Sequence, residues 1–175
     1  MLRGKLTGLR AIEPEDLAQL LEWRNRPEYR RYFREYRELG MDQQKSWFTE
    51  KVLRDKNTIM FAIVELETEK LLGAAGLCYI DWVNRNADFS IYIGEDSLYI
   101  DEALATDAAL VMINYAFREL GLHRVWTEIY EIDQKKEKMF RTLGFTREGR
   151  HRQTHWSEGR WQDSLFFSLL EGEFS

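Results

Sequence analysis

The sequence is poor in cysteine and proline and contains no long apolar run. Its single cysteine, Cys78, excludes an internal disulfide framework and lies in the run LLGAAGLCYI, which is typical of a buried structural thiol. No stretch approaches the length of a membrane-spanning helix, and the first residues lack the apolar core of a signal peptide. We therefore expect a cytoplasmic protein without a membrane partner.

Two classes of function find little support in the charge and histidine content. The formal net charge of −5 argues against general nucleic-acid binding, because such proteins present basic surfaces. The histidines, His123, His151 and His155, lack metal-ligand spacing, so we predict no metal site. With 44% hydrophobic and 31% charged residues, the chain has an ordinary globular composition, and we expect residues 1–175 to form one domain.

Apolar residues alternate between strand-like and helix-like spacing along the chain. A first strand over Lys5 to Ile12 and a helix over EPEDLAQLLEWRN precede one or two shorter helices, and three strand-forming segments follow Asn57. A helix over TDAALVMINYAF, a strand, another helix and a closing hairpin complete the order. Trp156 and Trp161 flank the hairpin turn, where they either staple it or contact a second copy in a homodimer. Hairpin and crossover connections together predict a mixed α/β sheet.

Several segments resemble the GNAT N-acetyltransferase superfamily. LRAIEPEDLAQLLEWRN is similar to the family's first strand and helix. YAFRELGLHRV, LGFTREGRHR and GRWQD are similar to the branch of ribosomal-protein N-terminal, spermidine-type and sugar-nucleotide acetyltransferases. The resemblance covers essentially the whole chain. It implies the α/β (α+β) GNAT-type acyl-CoA N-acyltransferase fold, with a mixed, mostly antiparallel sheet of about seven strands and about four helices.

The resemblance also implies an enzyme that moves an acetyl group from acetyl-CoA to a primary amine of a small molecule or a protein N-terminus. In this family a splayed strand lies beside the thioester, which places Ile91 and Ile93 next to the donor. The pyrophosphate is bound at the turn before the long helix, and that turn maps onto Ala103, Leu104, Ala105 and Thr106. Lys135 and Lys136 begin the next helix and are candidate phosphate ligands, with a solvated helix face as the alternative.

The turn itself departs from the family pattern. Residues 100–105, IDEALA, stand where Arg/Gln-Gly-Lys-Gly-x-Gly/Ala is usual. Asp101 and Glu102 favour a helix N-terminus by roughly 0.3–1 kcal/mol each, but a carboxylate near a phosphate costs on the order of 1–3 kcal/mol. Phe140 occupies the place of the family's leaving-group tyrosine. The alternative function is therefore a non-catalytic GNAT-fold binding or regulatory protein that has lost normal acetyl-CoA binding.

Candidate groups for the amine chemistry lie on the splayed strand and on the first helix. Asp88 matches an acid common on this strand in the branch and is the candidate general base, with an arginine-paired strand-edge charge as the alternative interpretation. Asp81 is the second choice of base. Tyr92 is a candidate acid, and Trp23, Arg24 and Asn25 are expected at the acceptor site. Six arginines favour an anionic acceptor over a polyamine, unless they form a salt-bridged surface: Arg24, Arg26, Arg30, Arg31, Arg34 and Arg37.

Overall fold

The computed structural model describes residues 1–175 and contains eight strands in one sheet. The strands are β1 (Leu2–Arg3), β2 (Thr7–Ala11), β3 (Ile59–Glu65), β4 (Leu71–Asp81), β5 (Asn86–Ile93), β6 (Arg124–Tyr130), β7 (Thr146–Ser157) and β8 (Arg160–Leu170). Their spatial order is β1-β2-β3-β4-β5-β6-β8-β7. All neighbours are antiparallel except β5 and β6. The predicted mixed, mostly antiparallel sheet is confirmed, with the two-residue β1 as the additional strand.

Five α-helices accompany the sheet: α1 (Leu17–Asn25), α2 (Pro27–Arg30), α3 (Met41–Trp47), α4 (Leu104–Asn114) and α5 (Gln134–Thr142). Helix α2 is a single turn that begins at Pro27, and it accounts for the helix beyond the expected four. π-Helical turns extend α3 over Phe48–Leu53 and α4 over Tyr115–Glu119. None of the helices is long and apolar enough to span a membrane.

Helix α4 packs its apolar face against the sheet. It contacts β2, β4 and β5, and its fully buried positions combine three small residues with one large one: Ala105, Ala108, Ala109 and Met112. The segment beyond α4 ends near Gly121, whose φ of 66° suits the left-handed turn that closes a helix. The helical spacing read from the sequence therefore corresponds to the buried face of α4.

The sheet divides in its middle. Strands β5 and β6 pair at Asn86–Arg124, Ala87–Val125 and Asp88–Trp126, and the ladder ends there although both strands continue. Just beyond the last pair, the Thr127 hydroxyl donates to the carbonyl of Phe89 at 3.2 Å. The unpaired remainder of the two strands forms a cleft. Asp88 and the stretch from Ile91 to Ile93, which the sequence predicts to be functional, lie on β5 along this cleft.

Asp107 on α4 holds the start of the chain in place. Its carboxylate accepts hydrogen bonds from the backbone N–H groups of Lys5, Leu6 and Thr7 at 2.9, 3.0 and 2.9 Å, and from the Thr7 hydroxyl at 2.8 Å. Burial alone would raise the pKa of Asp107, but these bonds hold it below its ordinary value. The ionised side chain therefore joins α4 to the first long strand.

We predict that Asp107→Asn lowers the free energy of unfolding by about 1–3 kcal/mol at neutral pH, because an amide leaves buried N–H groups without an acceptor. Since the pKa is lower in the folded state, this stabilisation is present above the unfolded-state pKa and is lost as the pH falls through the folded-state pKa. Urea unfolding at neutral and acidic pH measures the difference.

The matched control is Asp42→Asn, which changes an exposed acid in the first turn of α3. It should alter the unfolding free energy by less than about 1 kcal/mol. Equal stability of Asp107→Asn and the parent protein at neutral pH would contradict the assigned role of Asp107.

Candidate active site

A cavity of about 210 Å³ lies in the cleft between β5 and β6. Strands β3 to β6, α1, α5 and the segment after α2 supply its walls, which include Arg24, Tyr32, Phe33, Arg34, Asp88, Tyr92, Thr127, Glu128, Tyr130 and Lys136. Aromatic rings and charged groups of both signs therefore face one cavity. No group of His, Cys, Asp or Glu side chains in residues 1–175 is arranged to hold a metal ion.

Asp88 is the buried acid of this cavity. One Arg34 nitrogen lies 3.0 Å from an Asp88 oxygen, and the other lies 3.2 Å from Glu128. Burial raises the pKa of Asp88 to about 6, while the Arg34 guanidinium opposes the rise. Asp88 is therefore paired with an arginine, which was the alternative interpretation of this residue from the sequence. The pairing coexists with a carboxylate that is ionised at neutral pH and can take a proton near that pH.

Lys136 turns into this cavity from the first turn of α5. Its ammonium lies 5.4 Å from the centre of the Tyr99 ring, and burial lowers the pKa of Lys136 although Asp133 and Asp88 oppose this. Asp133 accepts a hydrogen bond from the Tyr99 hydroxyl at 2.6 Å and from the Lys136 backbone N–H at 3.2 Å. The sequence predicted Lys136 as a phosphate ligand, but the structure places its side chain beside Asp88 in this cavity. It does not line the separate groove between the first turns of α4 and α5, where the phosphates were expected.

Arg24 is the arginine of its cluster that lacks an acidic partner. The other five arginines between residues 24 and 37 form ion pairs with nearby carboxylates. The buried Nε of Arg24 has no hydrogen-bond partner, and the guanidinium lies 5.8 Å from the centre of the Trp47 ring. The alternative prediction, that these arginines form salt bridges, is therefore confirmed for five of the six, and Arg24 faces the cavity.

The neighbours of Arg24 in the sequence do not reach the cavity. Trp23 is 2% exposed and packs so closely on Gly94 that an added Cβ there would lie 1.9 Å from its ring. The Asn25 amide donates to the carbonyl of Leu39 at 2.8 Å and accepts from its N–H at 2.9 Å. Both side chains hold α1 and the following segment in place, so Arg24 alone of the expected acceptor trio lines the cavity.

Tyr92, the candidate acid, and Phe140, which replaces the family's leaving-group tyrosine, have different surroundings. Tyr92 lines the cavity, and burial raises the pKa of its phenol well above the ordinary value. It therefore keeps its proton at neutral pH and can donate it. Phe140 is fully buried in the core and packs against Phe89 and Phe145, with ring centres 5.9 and 4.9 Å away. It has no part in the cavity.

Ile91 and Ile93 present backbone groups to the cleft, because the next residue, Gly94, donates its N–H to the Leu72 carbonyl of β4 at 2.8 Å. Successive residues of a strand point their backbone groups to opposite edges, so both isoleucines face away from β4. The N–H of Ile93 donates to the Tyr99 carbonyl at 2.7 Å, and the Tyr99 N–H donates to Ile93 at 2.9 Å. Ile91 lies beyond the last pair with β6. Its backbone groups are therefore open to a ligand, whereas those of Ile93 are occupied.

A groove of about 520 Å³ lies between the first turns of α4 and α5, lined by Ile100, Asp101, Glu102, Thr106, Lys135, Lys138, Met139 and Thr142. The Asp101 carboxylate accepts hydrogen bonds from three of the four predicted donors in the turn, the N–H groups of Ala103, Leu104 and Ala105 but not Thr106, at 3.1, 2.8 and 2.7 Å. Glu102 forms an ion pair with Lys138. The acids of this turn are thus helix caps in the folded chain.

Sequence reasoning missed Glu128 as a cavity residue and did not distinguish Arg34 from the other arginines of its cluster. Arg34 lies 54 positions from Asp88 along the chain, and Glu128 lies 94 positions from Arg34. The cluster of arginines was the available signal, but nothing in its spacing distinguishes Arg34 from its neighbours. The sheet and the segment after α2 bring these groups together.

Residues 7–146 match the acetyltransferase (GNAT) domain family. The chain is 28% identical over 167 residues to spermidine N(1)-acetyltransferase of Escherichia coli (strain K12), covering 95% of this chain and 87% of that protein. It is 25% identical over 169 residues to an N-acetyltransferase named p20 of Bacillus licheniformis, with coverage of 95% and 94%. Spermidine N-acetyltransferase from Vibrio cholerae, solved with CoA and spermine, has a TM-score of 0.87 at 22% identity and covers 96% of this chain and 97% of its own. The predicted GNAT fold is confirmed.

We predict that Arg34→Met moves the pKa of Asp88 from about 6 to a higher value, because burial then acts without the opposing guanidinium. Carbon-13 NMR titration of the Asp88 carboxyl group measures this pKa directly. Arg37→Met is the matched control, since Arg37 pairs with Glu35 and not with Asp88. An Asp88 pKa that is the same in the parent and in Arg34→Met would contradict the coupling.

Proposed function

The chain belongs to the GNAT family of acetyltransferases, and on this premise we propose that it moves the acetyl group of acetyl-CoA to a primary amine bound between β5 and β6. The observation that carries the proposal is the position of Asp88, a buried carboxylate that titrates near neutral pH inside this cavity. Family membership supports an enzyme over the non-catalytic alternative. One continuous sheet over one apolar core also supports a single domain.

In the proposed reaction Asp88 removes a proton from the acceptor ammonium, directly or through water. The free amine nitrogen forms a bond to the thioester carbonyl carbon, the carbon–sulfur bond breaks, and the thiolate leaves with the electron pair. The nitrogen is positively charged once this bond has formed, and it loses its second proton to solvent to give the neutral amide. Tyr92 is the proposed proton donor to the thiolate, because burial keeps its phenol protonated. The open backbone of Ile91 would bind the pantetheine arm or the thioester, where a strand partner is lacking.

We further propose that the acceptor carries an anionic group besides its amine. Arg24 faces the cavity without an acidic partner, and Lys136 lies in the same wall. Arg24 is half-buried and forms no ion pair, and a carboxylate or phosphate of the acceptor would supply a partner for it. A polyamine is the second candidate, and Glu35, Asp88 and Glu128 are the carboxylates of the cavity that favour it.

We predict that Asp88→Asn lowers kcat by about 100-fold or more, because general-base catalysis contributes 10²–10⁴-fold and an amide cannot accept the proton. Release of free thiol from acetyl-CoA measures the rate. Asp81→Asn is the matched control, since Asp81 ends the neighbouring strand and lies outside the cavity. Equal rates for Asp88→Asn and the parent would remove Asp88 from the proposed mechanism.

Three amines that share a five-carbon chain next to the amine separate the acceptor classes: 6-aminohexanoate, with a terminal carboxylate, pentylamine, with no second polar group, and 1,5-diaminopentane, with a second amine. We predict that 6-aminohexanoate is the best acceptor and that Arg24→Met raises its KM by about tenfold or more, the cost of a charge-assisted hydrogen bond. The KM for pentylamine should stay within about threefold. Preference for 1,5-diaminopentane would favour the polyamine candidate, and thiol release with none of a broad amine panel would contradict the proposed transfer.

A further inference from the structure

The N-terminus of α4 already holds a carboxylate. Asp101 accepts hydrogen bonds from three successive N–H groups, those of Ala103, Leu104 and Ala105, at 3.1 to 2.7 Å. The first N–H groups of a helix are the donors that bind a phosphate or another anion. An anion arriving there would meet an aspartate that already makes these bonds. Binding of a donor diphosphate at this position would therefore require Asp101 to leave.

The basic side chains of the same groove are also engaged within the chain. Lys138 forms an ion pair with Glu102 across the groove, and the Lys135 ammonium donates to the carbonyl of Leu98 at 3.4 Å. The two lysines face two acids in the groove wall, so the wall has no net charge. A diphosphate needs a surplus of positive charge or several free N–H donors, and of the four N–H groups in this turn only that of Thr106 is without an acceptor.

At the other end of the proposed donor site, beside the cavity, backbone hydrogen-bonding groups are free. Ile91 has free backbone groups beside the cavity that contains Asp88, whereas Ile93 is covered by Tyr99. The amides of a pantetheine arm match a free strand edge, because both carry peptide-like N–H and C=O groups. Binding contacts are thus available for the acyl-pantetheine part of the donor and are missing for its diphosphate.

We propose that Asp101 takes the place of the donor diphosphate at α4, so that the enzyme selects pantetheine thioesters by the arm and the acyl group and gains no affinity from the nucleotide. The inference rests on the proposed acetyl transfer and specifies its donor. Acetyl-CoA is then one member of a wider class, and S-acetylpantetheine, which lacks the nucleotide and its phosphates, is as good a ligand.

Calorimetry with acetyl-CoA and S-acetylpantetheine tests this selectivity without turnover. In the parent protein the two dissociation constants should agree within about threefold, because the diphosphate adds no contact. In Asp101→Ser the shorter, neutral side chain frees N–H donors, and acetyl-CoA should bind about tenfold tighter or more, while S-acetylpantetheine is unchanged. Serine remains a good helix cap, so the fold is preserved.

Two further variants sharpen the test. Asp101→Asn keeps the shape of the side chain and removes its charge, so it should also gain affinity for acetyl-CoA. Asp96→Asn removes the same charge from the loop before α4 at a residue with φ of 50°, which asparagine accepts. Asp96 makes no contact with the α4 N–H groups that Asp101 occupies, so this variant should leave both dissociation constants unchanged.

The outcomes are decisive in either direction. Acetyl-CoA binding to the parent about tenfold or more tighter than S-acetylpantetheine would overturn the inference, as would Asp101→Ser and Asp101→Asn proteins without any gain. Binding of neither donor to any of these proteins would overturn it too. Thiol release from acetyl-CoA but not from S-acetylpantetheine would reject the donor selectivity and leave the proposed acetyl transfer intact. Absence of transfer from both donors would reject the proposed function.

Discussion

Strands β5 and β6 are the one parallel pair in the sheet, and they hydrogen-bond at three positions before they separate. Every candidate functional group depends on this separation. Asp88 occupies the last paired position of β5, Ile91 follows with backbone groups that no strand covers, and Glu128 lies on the facing stretch of β6. A longer ladder would have satisfied these backbone groups within the sheet and closed the cavity. The divergence therefore supplies both an acid and a free strand edge in one place.

Charge is balanced differently in the two parts of the site. In the cavity, Arg34 is shared between Asp88 and Glu128, which limits the rise in the pKa of Asp88 that burial produces. Arg24 remains without an acidic partner there. In the groove at α4, by contrast, the acids and lysines neutralise one another or bind backbone groups. The polar groups that remain available to ligands are concentrated at the reacting end of the site.

Apolar periods in the sequence predicted a mixed α/β sheet and its connections, and the resemblance of several segments to the GNAT superfamily predicted the fold. They also singled out Asp88 and Arg24, which line the cavity. They could not place Lys136, because the cap formed by Asp133 sets the direction in which the first turn of α5 faces. They could not separate Trp23 from Arg24 either, since adjacent helix positions point different ways and the sheet decides which is buried.

Amide hydrogen exchange at Ile91 and Ile93 tests the central claim that the sheet leaves one backbone position open for the acyl donor. The account predicts fast exchange at Ile91 in the free protein, slow exchange at Ile93, and protection of Ile91 when S-acetylpantetheine is added. Slow exchange at Ile91 in the free protein, or an Ile91 amide that S-acetylpantetheine fails to protect, would contradict it.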